Sequence, residues 1–152
     1  DKGNGHFLEL GTGAGLALSW MLAGMNQKAS VISLDNDQQL IDIALKYLGN
    51  RKNTQILCTD GAEWIKNYSG PPFDLIFADT WPGKYNTVPE TLALLNPGGY
   101  YVIDDMRPAD DWPTGHAEKA TQLTEYLFNH PELNCVELDW STGVILAVKK
   151  RP

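Results

Sequence analysis

The sequence predicts an α/β protein: a seven-stranded, mostly parallel sheet with helices on both faces and an antiparallel β-hairpin at its C-terminal end. Three observations predict it. Apolar runs of strand length alternate with helical patterns along the chain, as βαβ units require. The first run enters a turn with glycines at alternate positions, Gly11, Gly13 and Gly15, which opens directly into a helix. The last two apolar runs are joined only by Trp140-Ser141-Thr142-Gly143, too short for a crossover helix, so they must pair antiparallel.

Each element has a local reason. His6 to Leu10 is a short apolar strand, and Gly13 to Gly24 is an almost wholly apolar helix, expected to be buried on most sides. Ala29 to Leu34 is the second strand; Gln38 to Leu48 follows as an amphipathic helix, with Ile41, Ala44, Leu45 and Leu48 at helical spacing. Thr54 to Thr59 is the third strand. Asp60 and Glu63 then have capping-box spacing and start a short helix. Phe73 to Ala78 is the fourth strand. Thr87 and Glu90 form a second capping box for a helix that runs to Leu95 and is stopped by Asn96-Pro97-Gly98-Gly99. Tyr100 to Ile103 is the fifth strand and Ala117 to Phe128 an amphipathic helix ended near Pro131. Cys135 to Leu138 and Val144 to Val148 form the hairpin.

The 152 residues suffice for one sizeable core, so residues 1–152 read as a single domain. Hydrophobic content is ordinary at 43%, and no apolar run approaches a membrane span or a signal peptide. Asp1 to Gly5 are small and polar and read as a fragment boundary. Cys58 and Cys135, two lone cysteines within strands, read as buried thiols of a cytoplasmic protein rather than as a disulfide or metal site. A net charge of -7 argues against a nucleic-acid partner and leaves a small-molecule substrate as the expectation. A homodimer is compatible with this reading.

The glycine turn carries the first functional signal. A dinucleotide site would place its third glycine where Leu16 stands; here it arrives one residue early, giving Glu9-Leu10-Gly11-Thr12-Gly13-Ala14-Gly15. This spacing, with its leading acid, resembles motif I of the class I S-adenosylmethionine-dependent methyltransferases. The succession of five parallel strands and a terminal hairpin resembles their Rossmann-like fold. The cofactor site is then expected at Glu9, Gly11, Thr12, Gly13 and Gly15. Asp35, about twenty residues further on, is positioned for ribose hydroxyls beside Asn36, while Asn36 or Asp37 caps the next helix. The resemblance places Asp60 and Gly61 against the adenine; Asp60 is equally an N-cap.

The fourth and fifth strands end in Asp79 and in Asp104-Asp105. Neighbouring parallel strands lie about 4.8 Å apart, so these carboxylates crowd one sheet edge and call for a cation; oxygen ligands suit Mg2+ or Ca2+. Here the chain resembles the cation-dependent O-methyltransferases, the group of the catechol and caffeoyl-CoA enzymes, which bind metal with an Asp after the fourth strand and an Asp-Asn pair after the fifth. The resemblance implies Asp79, Asp104 and Asp105 as metal ligands, Asp79 and Trp81 beside the cofactor, and a small catechol-like acceptor. Two departures stand out. Asp105 replaces the Asn. Pro82 occupies the place of a lysine implicated in deprotonating the acceptor, so Lys84 is the candidate base in its stead, beside Asp79. The family's helices ahead of the first strand are absent from this sequence. Tyr85, Trp112 and Trp140 are candidates for an aromatic wall, whereas His116 reads as a capping or exposed residue. The alternatives are a tRNA-modifying methyltransferase on the same fold, a cofactor-binding module without catalysis, or a nicotinamide-binding domain.

Overall fold

The computed structural model describes residues 4–110 and 112–152, so most of the boundary expected over Asp1 to Gly5 lies outside the described residues. Seven strands form one sheet in the order β3-β2-β1-β4-β5-β7-β6. They are β1 (His6–Leu10), β2 (Ser30–Asp35), β3 (Thr54–Cys58), β4 (Phe73–Ala78), β5 (Leu95–Ile103), β6 (Leu133–Leu138) and β7 (Val144–Lys149). β1 to β5 pair parallel, while β7 pairs antiparallel with both β5 and β6, as the short join requires. The helices are α1 (Leu16–Gly24), α2 (Gln38–Leu48), α3 (Gly61–Asn67), α4 (Val88–Ala93) and α5 (His116–Phe128).

Alternation along the strands divides the core. Phe7 and Val31 point to one face and pack with Leu18 of α1 and Leu48 of α2. Leu8, Leu10, Ile32, Leu34 and Ile76 point to the other, where Ile65, Leu92, Ala120 and Leu127 from α3, α4 and α5 cover them. Among the described residues no helix is long and apolar enough to cross a membrane.

Four local expectations are corrected. Helix α1 is apolar all round but buries only Leu18; Leu16 and Trp20 are 76% and 75% exposed, because the helix touches the sheet through one stripe and no described residue covers its outer side. Asn96 to Gly99 do not precede the fifth strand but lie within it. Phe73 pairs with Leu95 and Leu75 with Tyr100, so the extra residues form a bulge, with Gly98 at φ 78° and the Asn96 amide donating to Asp74 Oδ1 at 3.0 Å. Thr87 does not cap α4: its backbone is left-handed at φ 55°, and its hydroxyl donates to the Asn86 carbonyl. Cys58 is exposed, since it ends a strand at the sheet edge, while half-buried Cys135 donates its thiol to Leu127 O at 3.3 Å. Burial also pushes the Cys135 thiol up in pKa. A thiol reagent applied to the native protein is therefore expected to label Cys58 well before Cys135 in a peptide map; equal rates would contradict this placement.

Candidate functional site

The C-terminal ends of the parallel strands are tied together by backbone bonds just where the chain leaves the sheet. Gly11 and Thr12 donate to Leu34 O at 2.9 and 3.0 Å, Asp79 to Leu10 O at 2.9 Å, Thr59 to Asp35 O at 2.8 Å and Asp104 to Ala78 O at 3.2 Å. The glycine turn, Asp35, Asp60, Asp79, Asp104 and Asp105 therefore follow the strands at one edge of the sheet, where open α/β sheets bind ligands.

The turn after β1 uses its glycines for different reasons. Gly11 has φ 102°, and a Cβ there would lie 2.9 Å from the Asp79 carbonyl oxygen; Gly13 has φ 51°, and a Cβ there would meet nothing within 4 Å. The first glycine thus serves packing and the second keeps a space open. The Gly13 amide donates to Asp35 Oδ2 at 2.8 Å, which fixes the acid of β2 against the turn. Asp37, not Asn36, caps α2 by accepting from the amides of Gln39 and Leu40, leaving Asn36 exposed. Asp60 caps α3, accepting from the Glu63 amide at 2.9 Å. Leu10, Asp35, Asn36, Asp60, Gly61 and Pro82 line a narrow cleft of about 40 Å³. So Asp35, Asn36, Asp60 and Gly61 converge beside the glycine turn, in one place.

Beneath the turn lies a buried polar chain. Glu9 is fully buried and accepts from the Ser33 hydroxyl, which stands opposite it in the parallel register. Ser33 Oγ is 2.5 Å from the hydroxyl of buried Thr12. Glu9 Oε1 has no hydrogen-bond partner among the described residues. Burial pushes its carboxyl up to about 7, helped by the charges of Asp79 and Asp35 against the Ser33 hydrogen bond. Sequence reading missed Ser33; its signal was a hydroxyl inside an otherwise apolar strand, in register with an acid on the neighbouring strand.

The acidic strand ends behave differently from the metal cage expected of them. The Asp79 carboxyl is pushed up to about 6, first by burial and then by the charges of Asp105 and Asp104. Asp104 Oδ1 accepts from the Asp105 amide at 2.7 Å and from the Thr142 hydroxyl at 2.9 Å. Asp105 is left-handed at φ 54°, and its charge is the largest acidic influence on Asp79. Among the described residues no group of three or more His, Cys, Asp or Glu side chains is arranged to hold a metal ion. The donor set of Asp79, Asp104 and Asp105 therefore does not fit the divalent cation that the sequence suggested: the three carboxylates are not grouped around one point, and Asp104 Oδ1 is taken by the Asp105 amide and the Thr142 hydroxyl. Thr142 reaches Asp104 because the turn between β6 and β7 is clamped beneath it, with Met106 and Arg107 donating to Gly143 O and Thr142 O at 3.0 and 2.8 Å.

Lys84 does reach this edge. The amides of Lys84, Tyr85 and Asn86 all donate to Trp81 O, at 3.0, 2.8 and 3.2 Å, and Gly83 reverses the chain at φ 76°. This tight turn carries Lys84 inward until it is 4% exposed. Burial lowers the pKa of its ammonium, while Asp105, Asp79 and Asp104 oppose the change.

An aromatic group stands alongside. Trp81 meets Tyr85 edge-on at 5.6 Å between centroids, and the Lys119 ammonium lies 4.0 Å from the Trp81 ring centre. His116 is neither a cap nor exposed: it stacks on Trp112 at 4.1 Å, and its Nε2 is 2.9 Å from the Tyr85 hydroxyl. Trp140 takes no part, being 74% exposed on the hairpin turn. A cavity of about 400 Å³ opens beside this group between Lys84, Tyr85, Lys119, Leu123 and Tyr126. A larger one, about 500 Å³, lies at the opposite end of the sheet, among Leu22, Met25 and Thr54, away from the site residues.

The chain is similar to known proteins over much of its length. Residues 8–106 match a family described as a methyltransferase domain. The chain is 27% identical over 100 residues to a protein of Mycobacterium avium named "Putative O-methyltransferase", covering 62% of this chain and 45% of that one. It is 35% identical over 112 residues to a probable cobalt-precorrin-6B C(15)-methyltransferase of Thermoplasma volcanium, covering 70% of this chain and 53% of that one. The chain thus spans about half the length of the curated relatives it matches. Among solved structures, the O-methyltransferase of Bacillus cereus in complex with SAH superposes with a TM-score of 0.82 at 22% identity, covering 98% of this chain and 76% of that one. At that identity the match shows the shared fold.

Proposed function

The chain belongs to the methyltransferase domain family, and from that premise we propose that it transfers the methyl group of S-adenosylmethionine to an oxygen of a small hydroxylated acceptor. The observation that carries the reading is the open space above Gly13 next to the cleft of Asp35, Asn36, Asp60 and Gly61. The family's cofactor suits these residues. Asp35 would take the ribose hydroxyls, Asp60 and Gly61 the adenine edge, and the amides of the turn the amino-acid end. Glu9 lies under the turn, where a cationic ligand would favour its ionised form.

The acceptor side is read from Asp79, Lys84 and the aromatic group. Trp81, Tyr85 and Trp112 suit a flat, catechol-like ring. In the transfer a bond forms between acceptor oxygen and methyl carbon as the carbon–sulfur bond breaks. Asp79, with its carboxyl near 6, takes the hydroxyl proton and returns it to water through its exposed side. Holding the groups in line supplies much of the acceleration. The divalent cation of the resembling group would polarise the same hydroxyl; since the donor set does not fit one, no step is assigned to it. A second reading, methylation at carbon, draws on the Thermoplasma volcanium relative.

Calorimetry with S-adenosylhomocysteine and with NAD tests the cofactor. Binding of the former alone is expected, and binding of NAD alone would end this reading. Transfer of labelled methyl to a panel of phenols and catechols, with product analysis, separates oxygen from carbon.

A further inference from the structure

We propose that Lys84 is the resident cation of the acidic strand ends, and that methyl transfer in this protein proceeds without a divalent metal. The proposal rests on the methyltransferase reading above.

A lysine that is 4% exposed needs a reason, because an ammonium gives up its hydration when buried. The reason is not a direct ion pair: among the described residues these are Lys66 with Glu63 and Arg107 with Asp139. Instead Asp105, Asp79 and Asp104 are the charges that oppose the loss of its proton, and none of them forms an ion pair with it. The backbone builds this placement. Gly83 packs over Leu10, where a Cβ would collide with Leu10 Cδ1, and the three amides on Trp81 O close the turn that carries Lys84 inward. One carboxylate of the cluster is already engaged: Asp104 Oδ1 accepts from the Thr142 hydroxyl and from the Asp105 amide. A divalent ion would have to displace those bonds and settle against a buried positive charge. The ammonium already supplies what the cluster needs, a compact cation, at no cost in ligand rearrangement.

The chemistry follows from this unpaired charge. With no ion pair to Asp79, the ammonium is free to face the oxygen of an acceptor hydroxyl whose proton goes to Asp79. The ammonium keeps its protons throughout, lowers the pKa of the hydroxyl, and stabilises the negative charge that gathers on the oxygen before the methyl arrives. It does by hydrogen bonding what a metal does by coordination.

The test uses Mn2+ as the probe, read by electron paramagnetic resonance, on the protein loaded with S-adenosylhomocysteine. The parent is expected to leave millimolar Mn2+ free and to keep its rate within about twofold in chelator. Lys84→Met is expected to lose on the order of 100-fold in maximal rate while holding S-adenosylhomocysteine within a few-fold. Lys84→Arg, which keeps the charge, is expected to retain part of the rate. Stoichiometric Mn2+ binding by the parent overturns the proposal, as does a rate lost in chelator and restored by Mg2+, or a folded Lys84→Met that keeps the parent's rate. Should Lys84→Met fail to fold, the parent titration decides alone. S-adenosylhomocysteine binding on the same samples reports separately on the methyltransferase reading, so the two fail distinguishably.

Discussion

Between about pH 5 and pH 8 the folded protein is expected to lose roughly 3 kcal/mol of stability through Glu9, and Glu9→Gln is expected to abolish that loss. The sign follows from the direction of the shift. Burial, together with Asp79 and Asp35, raises the Glu9 carboxyl from 4.5 to about 7 in the folded protein. Across that interval the folded state holds a proton that the unfolded chain has given up, so stability is complete below the lower value and falls until the higher one is passed. The structural cause is the carboxyl oxygen Oε1, fully buried without a partner among the described residues, while the other oxygen accepts from Ser33. Glutamine has the shape of the protonated acid and does not titrate. Urea midpoints measured across this pH range therefore separate the parent from the variant. A smaller fall should survive in Glu9→Gln, because Asp79 is raised as well, to about 6. Parallel curves would mean that Glu9 is ionised and paired in the folded protein. A group this costly to keep in place argues for function: the same charge that burdens the empty fold at neutral pH would be relieved by a cationic ligand held above the turn.

What was legible in the sequence was whatever depends on pattern and chain connectivity. The strand–turn–helix at Gly11 to Gly15, the parallel strands and the antiparallel ending follow from apolar runs and from the four-residue join at Trp140 to Gly143, and each is present. The cofactor-side acids also came together, because residues that follow parallel strands must lie on one edge. What was not legible depended on partners distant in sequence. Apolarity showed that α1 disfavours water but not that its outer side would lack a neighbour at Leu16 and Trp20. The spacing of Thr87 and Glu90 suited a capping box, yet the turn from Trp81 to Asn86 fixed Thr87 in a left-handed backbone that turns its hydroxyl elsewhere. The three acids were read as a metal site since nothing local showed Thr142 coming from the hairpin to occupy Asp104, or Gly83 turning Lys84 inward. His116 needed Trp112 and Tyr85 on two other segments before it became part of a cluster.

The contrast between two glycines of one turn tests fold and site separately. Gly11→Ala is expected to cost about 2–4 kcal/mol of stability, while Gly13→Ala costs about 1 kcal/mol and removes at least about tenfold in cofactor affinity. At Gly11 the backbone stands at φ 102°, outside the region an L-residue tolerates, and the new Cβ would lie 2.9 Å from the Asp79 carbonyl oxygen and 3.2 Å from Thr80 Cβ. Neither side can withdraw easily: the Gly11 amide is bonded to Leu34 O, and the Asp79 amide to Leu10 O. The strain therefore spreads to three strand ends. At Gly13 the backbone is at φ 51°, within the left-handed region that alanine enters at modest cost, and its Cβ would meet no protein atom within 4 Å. That empty space has meaning only for a ligand. A methyl group projecting into it blocks close approach to the turn amides, and the branched side chain of Gly13→Val should block it completely. Denaturant midpoints and calorimetry with S-adenosylhomocysteine on the same three variants give the answer. If Gly13→Val bound S-adenosylhomocysteine as the parent does, the ligand would have to enter by another route, and the assignment of this turn as the cofactor cradle would fall while the fold stood.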